Sequence, residues 1–155
     1  MSFKILPRCR KSPEDLLNQE KKFYKETFKN NVKFILNKNQ TSYEILLKYK
    51  YVFATYSTIA QECLVKGIRV GFIMFKSKKN PAYGFKFGEF EKLKKIGIFW
   101  TVFNKLDRFE IKRVFNFVIK VSNQNWEKKT IPYLKKIMYF DYKNKTFKKI
   151  IKENT

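Results

Sequence analysis

Short apolar runs alternate with stretches of helical spacing along the chain, and this alternation predicts an α/β fold. The runs predict strands at 3–7, 32–36, 51–54, 69–75 and 97–103. Apolar residues spaced three or four apart, with capping residues before them, predict helices at about 13–30, from 42, at 57–66, 107–121, 132–139 and 146–153. The spacing favours parallel strands joined by right-handed crossovers. We therefore predict a Rossmann-like parallel sheet flanked by helices, with a core at 3–103 and a C-terminal helical extension at 107–155 of a single domain, 1–155.

The segment 76–87 (KSKKNPAYGFKF) interrupts this pattern after the predicted fourth strand. It is basic, contains Pro and Gly, and would leave the carboxyl edge of the sheet, where ligands of α/β proteins bind. Lys76, Lys78, Lys79 and Tyr83 are therefore candidate substrate contacts. An ordinary surface loop is the alternative.

The net charge of +22 favours an anionic partner such as nucleic acid, an acidic membrane surface or a phosphorylated substrate. A second interpretation is compositional, because Lys, Asn, Ile, Phe and Tyr are all abundant, as in an AT-rich coding sequence. Only five of the 35 basic residues are Arg, whereas nucleic-acid contacts often use the bidentate guanidinium group. Charge alone does not decide between the two interpretations.

Cysteine and histidine usage excludes several kinds of site. Two cysteines, Cys9 and Cys63, are too few for a disulfide framework, and with no histidine most zinc sites and all histidine-based catalytic arrangements are excluded. We expect a reducing, cytoplasmic compartment, no signal peptide and no membrane-spanning run. Membrane contact, if present, would be peripheral, at the inner membrane face.

Ser57 and Thr58 lie where the third predicted strand ends and the next helix begins. A helix N-terminus offers unpaired N–H groups and a positive dipole end, so hydroxyls there can form a phosphate cradle. Glu62 lies one turn beyond Thr58 on the same helix face and could accept hydrogen bonds from a ribose diol. The alternative is a capping box over Thr58 to Gln61, which requires no ligand.

The segment YVFATYSTIAQECLVKGIRVGFI, which begins at Tyr51, resembles the donor-binding segment of GT-B-type glycosyltransferases, most closely those of surface carbohydrate biosynthesis. Those enzymes have a strand, a Ser-Ser or Ser-Thr turn, a helix with a Glu, then a glycine and a second strand. Further similarities are a strand that ends in Leu6-Pro7-Arg8, the Thr41-Ser42-Tyr43 helix start, the late Trp126, and the Tyr139, Asp141 and Asn144 pattern.

The resemblance implies that Ser57 and Thr58 bind the donor phosphates, that Glu62 binds the ribose, and that Arg8 neutralises the leaving group. The donor would be a nucleoside-diphosphate or nucleoside-monophosphate sugar. No cofactor is implied, and without an Asp-x-Asp motif metal is not required. GT-B enzymes have two Rossmann-like domains, so the chain resembles the C-terminal half, and the acceptor site would lie on a second domain or subunit. The catalytic base stays unknown, and Glu14, Asp15 and Glu89 are acidic candidates without a distinguishing pattern.

Two other functions remain open at this stage. A basic nucleic-acid-binding α/β domain would account for the charge and the interleaved aromatic residues, although no RNA-recognition motif or Gly-rich basic loop occurs. A non-catalytic remnant that binds only a partner protein is the third interpretation.

Overall fold

The computed structural model describes residues 3–7, 10–28, 31–55, 57–75, 96–103, 105 and 107–137. The chain divides into two compact units, Met1–Ile45 and Leu46–Thr155. The predicted bounds of the domain, its core and its C-terminal extension stay a prediction.

The first unit is built on two short parallel strands, β1 (Phe3–Ile5) and β2 (Val32–Phe34), with Phe3 opposite Val32. The intervening helix α1 (Glu14–Phe28) begins with acidic residues, which its N-terminal dipole favours. Leu17 is its buried anchor. A second helix, α2 (Ser42–Leu46), begins with a capping box: Thr41 Oγ1 accepts from the Glu44 N–H at 3.1 Å, and Glu44 Oε2 accepts from the Thr41 N–H at 2.7 Å.

The second unit contains a three-stranded parallel sheet with the order β3-β4-β5. Tyr51 pairs with Arg69, and Phe72 pairs with Trp100. The elements, in chain order, are β3 (Tyr51–Ala54), α3 (Thr58–Val65), β4 (Arg69–Phe75), β5 (Trp100–Phe103), α4 (Arg108–Lys120) and α5 (Asn123–Ile137). The predicted α/β class, with parallel strands flanked by helices, is confirmed, and the described strands form two small sheets.

Helices cover both faces of the sheet in the second unit. Val114 of α4 lies beneath Gly71, so α4 packs on the face to which Gly71 points. The neighbouring Phe72 points to the other face, where its ring lies 6.5 Å from that of Phe99, which in turn lies 6.0 Å from Trp126 of α5. Burial on both faces explains why β3 and β4 read as continuous apolar runs.

Glycine is required at position 71 because the Phe53 ring and Val114 of α4 lie very close to the backbone there. The Phe53 ring, on the paired strand, stacks on Phe115 of α4 with centroids 3.9 Å apart and an interplanar angle of 6°. A Cβ atom at Gly71 would lie 2.7 Å from two carbons of the Phe53 ring and 3.1 Å from Val114 Cγ1. The absence of a side chain at this position therefore allows α4 to approach the sheet.

The predicted strands 3–7 and 32–36 each end two residues early, and two predicted element starts are wrong by three residues or more. The helix predicted to start at Pro132 begins at Asn123, with Pro132 in its interior. Ser122 Oγ accepts from the Asn125 N–H at 3.3 Å, and packing of Trp126 and Tyr133 against Phe99 outweighs the helix hydrogen bond lost at the proline. The strand predicted from Gly97 begins at Trp100, because the Gly97 N–H donates to the Trp100 carbonyl in a turn. The helix predicted at 146–153 lies outside the described residues.

Candidate functional site

The N-terminus of α3 lies at the carboxyl edge of the three-stranded sheet, directly after β3. Ser57 has extended backbone angles, φ −161° and ψ 118°, and is the N-cap. Its Oγ accepts from the Ala60 N–H at 3.2 Å, and its carbonyl accepts from the Gln61 N–H at 3.2 Å. This arrangement uses two of the N–H groups at the helix start and leaves those of Thr58 and Ile59 without an intrahelical acceptor.

Thr58 occupies the first helical position and is exposed. The capping box considered for Thr58 to Gln61 is therefore wrong, because Ser57 caps the helix and Ala60 lies three residues after it. The Ser57 oxygen accepts from the helix but retains a hydroxyl hydrogen to donate. Four uncharged donors therefore lie next to the positive end of the helix dipole: the hydroxyls of Ser57 and Thr58 and the N–H groups of Thr58 and Ile59.

Glu62 lies four residues after Thr58 and is partly exposed. The opposite face of the helix is buried, with Ala60, Cys63 and Leu64 in the core. Burial raises the pKa of the Cys63 thiol, the Glu62 carboxylate adds to that increase, and Lys66 opposes it. Cys63 therefore remains a neutral thiol at physiological pH and is unsuited to nucleophilic chemistry.

The end of α3 is fixed as firmly as its start. Gly67 has φ +90°, its N–H donates to the Leu64 carbonyl at 3.0 Å, and the Ile68 N–H donates to the Cys63 carbonyl at 3.0 Å. This is a Schellman motif, which glycine favours because the left-handed conformation strains other residues. The helix is thus held at both ends, which fixes where Ser57, Thr58 and Glu62 lie.

The remaining predicted site residues lie outside the described part of the chain: Arg8, Lys76, Lys78, Lys79 and Tyr83. Arg10, the second arginine after β1, is described and is only 3% exposed. It donates to the Asn37 carbonyl at 2.6 Å and to Ser42 Oγ at 3.1 Å. Arg10 therefore ties the segment after β2 to the start of α2.

Two further arginines hold parts of the second unit together, and the sequence pattern does not identify either role. Arg69 is buried and donates to the Val118 and Val121 carbonyls at 3.1 and 2.6 Å, and to Asn123 Oδ1 at 2.6 Å. Arg113 forms a bidentate pair with Glu110 and also donates to the Ile98 and Trp100 carbonyls at 3.2 and 3.1 Å. The carbonyls that accept from these two arginines lie 13 or more residues away along the chain, so only the tertiary structure identifies them.

The start of α4 carries exposed residues that the sequence reasoning missed. Phe109 is 87% exposed, and Lys105, Arg108 and Lys112 around it are also exposed. Phe109 interrupts the apolar spacing of α4, because its neighbours at the core-facing positions are Ile111, Val114 and Val118. That departure from the helical period is the signal that could have identified it.

Within the described ranges, no helix combines the length and apolar character needed to cross a membrane. Over the same residues, acidic and cysteine side chains form no cluster suited to a metal ion.

These observations define an α/β protein with parallel strands, in which a capped helix presents hydroxyls, and N–H groups without an intrahelical acceptor, at the carboxyl edge of a sheet. A family model described as "putative O-antigen biosynthesis protein" matches residues 1–155. The chain belongs to that family, so the predicted link to surface carbohydrate biosynthesis is supported at this level. Comparison with curated proteins and with solved structures gives no significant match.

Proposed function

We propose that the chain binds the nucleotide-sugar donor of a glycosyl transfer step in O-antigen biosynthesis. The observation that carries the proposal is the α3 N-terminus, where Ser57 caps the helix and the N–H groups of Thr58 and Ile59 have no intrahelical acceptor. Membership of the O-antigen family supports the carbohydrate context. The resemblance of 51–73 to GT-B donor-binding segments supports the choice of a sugar nucleotide as the ligand.

In this proposal each residue has a separate role. The Thr58 and Ile59 N–H groups and the Ser57 and Thr58 hydroxyls donate to the diphosphate, next to the positive dipole end of α3. The Glu62 carboxylate, one turn away, accepts from the ribose hydroxyls. The same donors would stabilise the charge that develops on the departing nucleotide as the glycosidic bond breaks. The contribution of Arg8 stays a prediction from the resemblance.

The test is calorimetric titration of the chain with a panel of nucleoside diphosphates. Ser57→Asp is the most informative variant, because Asp caps a helix as well as Ser does but puts a carboxylate where the phosphate would bind. We expect thermal stability equal to that of the wild type, together with loss of nucleotide binding. Glu62→Gln should weaken binding about tenfold, because the amide is a poorer acceptor for a diol than the carboxylate.

Glu127→Gln, on the exposed side of α5, is the matched control and should bind like the wild type. If the folded chain binds none of the nucleotides, or if Ser57→Asp binds as well as the wild type, the proposed donor site is wrong. If Lys128→Gln and Lys129→Gln in α5 reduce binding more than the changes in α3, with a steep dependence on salt, the ligand is held by general charge instead.

A further inference from the structure

Phe109 stands out on the solvent-facing side of α4. Its side chain is 87% exposed, although burying an apolar side chain of this size is favourable. Val114 and Val118 form the buried face of the same helix, and Phe109 lies on the opposite side. Its neighbour at three residues is Lys112, and its neighbour at seven residues is Asn116. The ring therefore protrudes from a polar and cationic face.

The charge on this face is not neutralised within the helix. Lys105, Arg108, Lys112 and Lys120 are exposed, whereas the acidic residues of 105–120 are only Asp107 and Glu110. The Asp107 carboxylate accepts from the Phe109 and Glu110 N–H groups at 2.9 and 3.1 Å. The Glu110 carboxylate is paired with Arg113 at 2.8 Å. Both carboxylates are thus already engaged, one as the helix cap and the other with Arg113, and neither pairs with Lys105, Arg108, Lys112 or Lys120 among the described contacts.

Arg108 is unfavourable for the helix itself, because a cation in the first turn opposes the helix dipole. The acidic groups that the dipole favours come from Glu110 in the same turn and from the Asp107 cap, and Lys112 lies one turn further on. Among the described residues Arg108 makes no hydrogen bond or ion pair, whereas Arg10, Arg69 and Arg113 donate to backbone carbonyls. Arg108 is therefore an exposed cation without a stabilising contact in the described part of the fold, and it is accessible to an external partner.

We propose that this face, formed by Phe109 with Lys105, Arg108, Lys112 and Lys120, docks on an anionic lipid surface. The Phe109 ring would enter the interfacial region between headgroups and acyl chains, while the cations contact anionic headgroups. The combination of an apolar anchor and several cations matches the two contributions that peripheral binding requires. The lysine-rich composition suits a diffuse surface potential, to which each cation contributes as a point charge.

Nucleic acid fits the same residues less well. Proteins that bind single strands stack successive bases on several aromatic rings along a cationic groove. Among the described aromatic residues of α4, Phe109 alone is exposed, and the other two, Phe115 and Phe117, pack against Phe53 and Trp126. A single protruding ring can insert into a bilayer without such a groove.

The position of the face agrees with an enzyme that acts at a membrane. The N-termini of α3 and α4 follow the carboxyl ends of β3 and β5, which are parallel strands of one sheet. Both helix starts therefore lie at the same edge of that sheet. Docking through α4 would bring the α3 N-terminus towards the lipid surface, although docking itself does not depend on nucleotide binding.

The test is co-sedimentation of the full chain, without nucleotide, with phosphatidylcholine vesicles that contain or lack phosphatidylglycerol. We expect binding only to the anionic vesicles, weakened at least about tenfold by Phe109→Ala. Arg108→Gln with Lys112→Gln should abolish most binding at moderate salt. In Phe109→Trp, the fluorescence emission of the new indole should shift to the blue on anionic vesicles and be quenched by brominated lipid. The native Trp100 and Trp126 are buried, so their emission should not respond to the vesicles.

Matched controls come from α1. Phe23 is also exposed, at 60%, but lies three residues from both Glu20 and Glu26, so Phe23→Ala should leave vesicle binding unchanged. Lys22→Gln with Lys25→Gln removes the same charge elsewhere and should have a much smaller effect than the α4 pair. Equal losses of vesicle binding in the α1 and α4 double variants would show that binding depends only on net charge and would overturn the proposal. Equal binding to neutral and anionic vesicles would also overturn the proposal. The same holds if anionic vesicles are not bound and a single-stranded oligonucleotide is bound in a way that requires Phe109.

Discussion

Thr101 and Thr130 are buried to the same extent, each 1% exposed, but their hydroxyls have different surroundings. The Thr130 Oγ1 donates to the Trp126 carbonyl at 2.7 Å, within α5. The Thr101 Oγ1, in β5, has no hydrogen-bond partner among the described residues. An unpaired buried hydroxyl costs about 1–3 kcal/mol, whereas a paired one contributes about 1 kcal/mol.

We predict that Thr101→Val raises the free energy of unfolding by about 1 kcal/mol, because valine has a similar shape, favours strands and lacks the hydroxyl. Thermal denaturation followed by circular dichroism should show a rise of a few degrees in the melting temperature. Thr130→Val is the matched control and should lower stability by about 1 kcal/mol, because it removes a satisfied hydrogen bond. If both variants changed the free energy of unfolding in the same direction, this account of the two hydroxyls would be wrong.

At the scale of elements, Arg69 joins the end of α4 to the start of α5. The residue is only 6% exposed, and its guanidinium group donates hydrogen bonds to two backbone carbonyls and to the Asn123 side chain. The carbonyls at a helix C-terminus lack intrahelical partners and carry the negative end of the dipole. A buried cation at this point therefore stabilises the turn between the two helices.

We predict that Arg69→Met lowers the free energy of unfolding by about 2–4 kcal/mol, because it leaves buried carbonyls unpaired. Arg69→Lys should recover only part of the loss, since one ammonium group cannot reach all three acceptors with the same planar geometry. Urea denaturation measures both. Arg108→Met makes the same chemical change at an exposed position and should alter stability by less than about 0.5 kcal/mol. A comparable loss in Arg108→Met would show that charge, rather than the bridging contacts, is responsible.

The sequence predicts those elements whose ends carry local signals. The bounds of β3, α3 and β4 follow from an apolar run, the Ser57 cap and the positive φ of Gly67, all of which act within a few residues. The start of α5 is missed because Pro132 imitates a first helical residue, while the packing of Trp126 and Tyr133 decides the outcome. Local rules fail where distant contacts dominate.

The candidate site shows the same division. Ser57, Thr58 and Glu62 could be placed from sequence, because the order strand, hydroxyl turn, helix fixes their mutual arrangement. The bridging role of Arg10 could not, since it depends on the Asn37 carbonyl, which lies 27 residues away along the chain. The exposure of Phe109 was not predicted, because helical periodicity identifies the buried residues of a helix and does not distinguish an apolar residue on the exposed face.

For the whole molecule, the dominant feature is the net charge of +22 at neutral pH. Mutual repulsion of this size opposes the compact state, which has the cations closer together than the unfolded chain does. Salt screens such interactions over about 10 Å at 0.1 M ionic strength.

We predict that raising NaCl from about 0.02 M to about 0.3 M increases the melting temperature, because screening weakens the repulsion. Differential scanning calorimetry measures the effect, and chloride is preferred to sulfate, which stabilises proteins generally by exclusion from their surface. Sucrose at a concentration chosen for equal osmolality is the control for non-ionic effects. A melting temperature that is unchanged or lowered by NaCl would show that the cations are already neutralised within the fold.

The bridging contacts of Arg10, Arg69 and Arg113 have a consequence for chemical modification of the protein. In these three residues the guanidinium group is bonded to backbone carbonyls, whereas the 35 basic residues are mostly lysines, many of them exposed in the described ranges. Reagents that methylate amines leave guanidinium groups untouched. Reductive methylation before crystallisation would therefore modify the solvent-facing lysines of this protein while preserving the arginine contacts that hold its helices and loops.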